Sequence, residues 1–391
     1  MLSRTIKPSF FKTSIKKSSS HPVDALKDHV KIKVAIPQWP DIIFKANLPC
    51  LPKNYGSLSN RFTAQTHRDS LKWVASLGLN QKSISEKLEK ARFSELMPTT
   101  AYDLPRAHLT VLTNFITTFV LLDDVVENFD KLKKQLPNKS GVHAATKNNY
   151  IDYALRVFKA IFNQHDQSIK QMEHDAYFSM LFPFSSMLAR LHNDLRKHQG
   201  HLFYFCDNIE RTLAALKIQS SVPLLSEIDY LTNKKLTVGA SAALELYFVL
   251  SWTTMPQATR QHSLYKEITE KGLNCILAIN DIVSFPAELS EQNNENLILI
   301  KWHHLNKKQN FHSSENANAL IAFHQVVHFY SEQFNDLIKL SSKVSHDVHL
   351  NYYYHTMLKF VQDNMNWHLQ SKRYHLEERE IKSHEVILRK K

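Results

Sequence analysis

Glycine is scarce in this chain, with 6 in 391 residues. Sheet-rich proteins need turn residues in quantity, so the shortage argues against an all-β architecture. Proline is modest at 13. Cysteine is rarer still: Cys50, Cys206 and Cys275 are widely spaced and odd in number. That excludes a disulfide framework and a cysteine-based metal site, and it fits a reducing compartment. Acids are outnumbered, 37 Asp and Glu against 49 Lys and Arg, for a net charge of +12. No apolar run is expected to span a membrane, because the longest contains Thr117 and Thr118 and ends at Asp123 and Asp124. Zinc-finger spacing, an RNA-binding signature, a Gly-rich phosphate loop and a Ser-His-Asp signature are all missing. Nucleic acid is therefore not expected as a partner. The positive charge by itself would suit a nucleic acid, an anionic membrane surface or a phosphorylated substrate and does not choose among them.

What remains is an ordinary globular content of apolar residues, 43%, in a helical pattern. Helical periodicity begins near Leu58 and recurs almost to the end. Polar and turn-forming clusters interrupt it at 134–147, 164–171, 254–261 and 306–315. The segment 36–52 holds Pro37, Pro40, Pro49 and Pro52 and is expected to be an extended strap. No alternating strand pattern is expected elsewhere. One helical domain over 36–378 follows, with a basic, disordered tail at 1–35 and a charged tail at 379–391. The first twenty residues are basic, Ser-rich and free of acids, which leaves organellar import open beside the default cytoplasmic location.

Two helices carry chemistry. Pro105 opens the first, whose stripe Leu112, Ile116 and Phe119 continues into Asp123 and Glu127. Asp123, Asp124 and Glu127 crowd one turn. Unpaired, they would raise one another's pKa, a penalty that a hard divalent cation removes. In the second helix, Leu273, Ile276 and Leu277 are followed by Asn280, Ser284 and Glu288 at spacings of four. An amide oxygen, a hydroxyl and a carboxylate then line one groove, a donor set for one further Mg²⁺. A third feature is Arg373 followed by Tyr374. His324 and His328 have the i, i+4 spacing of a zinc helix, but Gln325 stands where that motif needs Glu.

The D-D-x-x-E of Asp123 to Glu127, the N-D-x-x-S-x-x-x-E of Asn280 to Glu288 and the closing Arg373–Tyr374 pair resemble class I terpene synthases of the microbial type. The resemblance implies an all-α, single-domain class I terpenoid synthase bundle around an apolar cavity. It implies three Mg²⁺ ions, with Mn²⁺ as a substitute: two on Asp123, supported by Asp124 and Glu127, and one on Asn280, Ser284 and Glu288. Arg373 and Tyr374 would bind diphosphate. A lysine of the Lys234–Lys235 pair, Lys235 by preference, would be the diphosphate sensor, where the family usually has arginine. Gly239 would break a helix and turn backbone toward the cavity. Ala287 stands where the family often has lysine, and Pro286 predicts a kink that re-aims Glu288, with Glu291 as the alternative acid. Candidate cavity walls are Phe115, Phe119, Tyr247, Phe248, Trp302 and Trp367.

The implied reaction is ionisation of a prenyl diphosphate, farnesyl diphosphate first and geranylgeranyl diphosphate next, then cyclisation or rearrangement of the cation. The enzyme would be a carbon–oxygen lyase, monomeric or homodimeric. Absence of a DxDD run argues against protonation-initiated cyclisation. The alternatives are a prenyl chain-elongating synthase, which would show a second Asp-rich motif, and an inactive helical binding protein of the same fold.

Overall fold

The computed structural model describes residues 28–389 except 37–38, 53–54, 56–57, 80–81, 135–145, 163–183, 222–224, 254, 292–294, 309–314, 374–377 and 383–384. Helices dominate, as expected: α1 (Thr63–Ser76), α2 (Lys82–Ala91), α3 (Arg106–Glu127), α4 (Phe129–Lys134), α5 (Lys147–Phe162), α6 (Phe184–Leu195), α7 (Phe203–Ser221), α8 (Glu227–Thr237), α9 (Ala240–Leu250), α10 (Gln257–Gln261), α11 (Ser263–Glu291), α12 (Leu297–Lys308), α13 (Glu315–Lys339), α14 (Ser341–Val344) and α15 (Val348–Gln370).

The motif-bearing helices are central. α3 packs against α1, α5, α6 and α9, while α11 packs against α8, α9, α12, α13 and α15. By length and composition α3 is apolar enough to cross a membrane, contrary to the expectation from sequence, yet 78% of its apolar window is buried inside the protein. Its threonines satisfy themselves within the helix, Thr117 donating to the Thr113 carbonyl and Thr118 to that of Asn114, each at 2.8 Å. That local bonding lets polar residues sit at 2% exposure or less in the middle of the bundle.

The two ends of the chain depart from expectation. Residues 28–36 lie in strand β1 (Asp28–Ile36), not in a disordered tail, and the strap is strand β2 (Trp39–Cys50). β1 and β2 pair antiparallel, with Val34 opposite Phe44 and Ile32 opposite Ala46. The C-terminal tail supplies β3 (Glu378–Lys382) and β4 (Glu385–Arg389), giving one sheet of order β2-β1-β4-β3 in which β1 and β4 run parallel. The physical reason is an alternation that proline content obscured. Ile32, Val34 and Ile36 are buried between lysines in β1, and Phe44, Ala46 and Leu48 are buried in β2. That apolar face rests on α13: Phe44 meets Phe323 at 5.2 Å and Phe285 edge-on at 5.6 Å. The helical bundle is as expected, and the sheet is an addition to it.

Candidate active site

Glycine decides the first feature of the site. Gly239 has φ +71° and caps the start of α9 immediately after α8 ends, so the helix breaks there as its sequence implies. A side chain would strain that left-handed backbone, which glycine adopts freely. The break opens onto a cavity of about 300 Å³ whose lining includes Thr237, Val238 and Gly239. Across it stand Asp123, Asp124 and Glu127 from α3, and Asn280, Ser284 and Glu288 from α11, with Arg373 at one side. A second opening of about 430 Å³ shares Asp123, Glu127 and Glu291 and adds Lys131 and Lys147.

The acids are not equivalent. Burial raises the Asp123 carboxyl to about 6, against the opposing pull of Lys234 and Arg373. Glu127 is raised well above the usual range by its enclosure and by the charges of Asp123, Asp124 and Glu288. Its side chain is nonetheless exposed at the cavity, so solvent weakens that effect. Asp124 differs: its two oxygens face Lys87 Nζ at 2.6 Å and an Arg373 guanidinium nitrogen at 3.6 Å. Two carboxylates of the first motif therefore face the cavity unpaired by a close cation, and the third is paired.

On α11 the helix runs unbroken through Pro286, and Glu288 stays in the cavity. Glu288 and the alternative acid Glu291 both line the cavity, and Glu288 is held there by Asn296. This buried side chain donates from Nδ2 to Glu288 Oε2 at 2.6 Å and to the Asp281 carbonyl at 2.8 Å, while its Oδ1 accepts from Ile298 N at 2.8 Å. Donor and acceptor are thus fixed, and the amide can sit only one way. Burial lifts Glu288 to about 7, with Lys234 and the bonds from Asn296 and Ser284 opposing. Asp281, fully buried, accepts Tyr230 Oη at 2.9 Å on each oxygen and Leu297 N at 2.9 Å, tying the segment before α12 onto α11.

Asn280 meets His368 Nε2 at 3.1 Å, and His368 Nδ1 lies 2.7 Å from the Asn364 carbonyl. Burial lowers His368 to about 4, so the ring is neutral at neutral pH. Its Nδ1 then carries the proton, Nε2 accepts, and Asn280 must donate its Nδ2. A cation held by Asn280 would then meet its Oδ1.

Lys235 requires a correction. It pairs with Glu270 at 3.3 Å and does not line the cavity; its neighbour Lys234 does. One residue is about 100° of helix, and Lys234 lies one turn after buried Tyr230, whereas Lys235 follows half-buried Leu231. Burial opposes the charge of Lys234, but Asp281, Glu288, Asp123 and Glu295 outweigh it and raise its pKa. Tyr374 lies outside the described residues. Among the aromatic candidates Phe119 lines the cavity; Phe115, Tyr247, Phe248 and Trp367 are core, and Trp302 is half-buried on α12. His324 and His328 sit on the exposed face of α13, His328 beside Glu332 at 3.2 Å.

The donors at the cavity are oxygens throughout. Among the described residues no three Asp, Glu, His or Cys groups converge on one point. A cation here would take one or two carboxylates and complete its shell with water and phosphate oxygens, which is how Mg²⁺ is commonly held.

Residues 114–310, half of the chain and both metal motifs, match the model of terpene synthase family 2, C-terminal metal binding. The chain belongs to this terpene synthase family. A germacrene A synthase of Nostoc punctiforme is 28% identical over 162 residues, 40% of this chain and 47% of that relative. The chain thus matches about half the length of that relative. Among solved structures, the ancestrally reconstructed SVS_A2 protein has a TM-score of 0.62 at 12% identity, covering 80% of this chain and 87% of its own. Germacradien-4-ol synthase from Streptomyces citricolor has a TM-score of 0.55 at 13% identity, covering 79% and 94%. At these identities the structural likeness is one of fold, and the fold is that of the class I terpene synthases. Within this terpene synthase, sequence reasoning ranks Lys234 behind Lys235 and misses Asn296, His368 and Lys87. For Lys234 the phase of Tyr230 was an available signal. For the other three, only the folded chain brings them to the motif residues.

Proposed function

We propose that this chain ionises a prenyl diphosphate, farnesyl diphosphate first and geranylgeranyl diphosphate next, and turns the resulting cation into a cyclic or rearranged terpene with release of diphosphate. The observation that carries the reading is the meeting of two metal motifs, on α3 and α11, across one cavity with Lys234 and Arg373. Asp123 and Glu127 would hold one group of Mg²⁺ ions, and Asn280, Ser284 and Glu288 a further one. When bound, Mg²⁺ stabilises the negative charge that develops on the leaving diphosphate.

The chain's own residues do the rest. Lys234, kept charged by its acidic neighbours, stands where the diphosphate sensor is needed, and Arg373 offers a planar fork to phosphate oxygens. Both act on charge that grows as the allylic C–O bond breaks, so they favour the transition state over the ground state. Gly239 lets the backbone approach the cavity without a side chain in the way. Phe119, Val120, Leu216 and Val238 give the apolar wall a cation needs if water is not to quench it. His368 and Asn296 act behind Asn280 and Glu288 as positioning residues.

Gas chromatography of extracts from purified protein, Mg²⁺ and a panel of C10, C15 and C20 diphosphates tests this. A hydrocarbon or alcohol product is expected. Correctly folded protein that gives no product at any chain length would overturn the enzymatic reading, and longer diphosphates as products would mark it as an elongating synthase.

A further inference from the structure

The second motif has Ala287 where a cation would serve diphosphate, and a cation from another helix reaches the same cavity. We propose that Lys87 on α2 is a diphosphate-binding residue that supplies the contact Ala287 lacks. The inference rests on the function proposed above. Lys87 and Ala287 line one cavity together with Asp123, Lys234 and Arg373. Lys87 Nζ lies 2.6 Å from one oxygen of Asp124, and Arg373 lies 3.6 Å from the other. One carboxylate thus faces two cations. Of the remaining cavity carboxylates, Asp123, Glu127, Glu288 and Glu291, the first three would be the donors for Mg²⁺. With metals bound, their charge is taken up, and the surplus positive charge of the Lys87–Asp124–Arg373 group is left facing the anion.

The two cations are also mounted on one junction. Trp367 donates Nε1 to the Ala91 carbonyl at 2.7 Å, Ser371 Oγ reaches the same carbonyl at 3.3 Å, and Lys372 N donates to the Lys90 carbonyl at 3.1 Å. These bonds join the end of α2 to the segment that carries Arg373. Lys87 is one turn before Ala91 and so projects from the same side of α2. Its side chain is 38% exposed, against 16% for Arg373. The lysine end of the pair is thus the solvent-facing one, Asp124 being 15% exposed. The flexible lysine stem can leave Asp124 and follow a phosphate oxygen beside the Arg373 fork, which stands 3.6 Å from the same carboxylate.

Isothermal titration of inorganic diphosphate in the presence of MgCl₂ into the full chain reads this without turnover. Lys87→Gln is expected to weaken binding about tenfold, as loss of a charge-assisted hydrogen bond does, and Lys87→Arg to bind close to wild type. The loss should persist in an Asp124→Asn background, and Ala287→Lys should recover part of it in Lys87→Gln. Unchanged affinity in folded Lys87→Gln overturns the proposal. So does a loss that vanishes once Asp124 is Asn, because Lys87 would then act only through that carboxylate. Wild-type protein that binds no magnesium diphosphate overturns the functional reading itself, a separate result from an unaffected variant.

Discussion

Asn296 holds Glu288 across the gap between α11 and α12: its Nδ2 stands 2.6 Å from Glu288 Oε2 while its Oδ1 caps Ile298 N at 2.8 Å. A metal-motif carboxylate two residues past a proline is thereby fixed from outside its own helix. Pro286 removes one backbone donor, which would loosen the last turns of α11. Asn296, itself anchored through the Asp281 carbonyl, replaces that lost constraint on the side-chain side.

Asn296→Ala should therefore raise the Mg²⁺ concentration needed for half-maximal activity by about 10-fold or more, the range seen when groups behind metal ligands are removed. The lost bonds should also cost stability of about 1–3 kcal/mol. Metal-dependence curves at saturating substrate check the first, and urea unfolding the second. An unchanged metal requirement in a destabilised variant would show that Asn296 only caps α12.

Asp123 is a half-buried carboxyl that loss of solvent raises to about 6, so holding it ionised at pH 7.5 opposes folding. Asp123→Asn should abolish turnover and leave the metal-free protein at least as stable as wild type, by roughly 1–3 kcal/mol. Added Mg²⁺ with diphosphate should then raise the melting temperature of wild type but hardly that of the variant. Thermal scans with and without the ligands decide this; a variant less stable than wild type when metal-free would contradict it.

Much of this architecture is readable from residues alone, and the parts that are not have a common cause. The helix period, the stripe entering Asp123 and the four-residue spacing of Asn280, Ser284 and Glu288 are local patterns, and local patterns survive in sequence. The break at Gly239 is also local. The sheet was missed because prolines in β2 drew attention from its alternation, and because β1 finds its second partner, β4, more than three hundred residues away. His368 and Asn296 act on motif residues 88 and 8 positions away through the fold, with no spacing rule to announce them. Lys234 could have been chosen over Lys235 from the phase of Tyr230, where a lysine pair read without its helix face gives an even choice.

The two lysines should separate cleanly in experiment. Lys234→Gln is expected to lower kcat/KM by 100-fold or more, since it removes a charge that stands among the acids of the cavity and is proposed to meet the diphosphate. Lys235→Gln, which breaks a half-exposed pair with Glu270, should change it by less than about threefold. Steady-state kinetics on both variants decides between the faces of α8. A larger effect at Lys235 would mean that α8 presents its other face when substrate is bound.

Asp363 offers a test of the fold at a distance from the metal motifs. Its Oδ2 accepts three donors, Thr99 N at 3.0 Å, Thr100 N at 2.7 Å and Thr100 Oγ1 at 2.8 Å. Burial nonetheless outweighs those bonds and raises the carboxyl to about 6. The folded state then keeps a proton that the unfolded state, near 3.8, has released. Stability from this group is fully present below pH 4 and is lost as pH rises to about 6, by of order 3 kcal/mol. An asparagine Oδ1 can accept the three donors that fall on Oδ2. Asp363→Asn should match or trail wild type near pH 4.5 and exceed it at pH 7.5. Unfolding free energies of both proteins across that range isolate the difference, since the other raised carboxyls titrate alike in each. A gap that does not change with pH would mean that the three donors hold Asp363 ionised throughout.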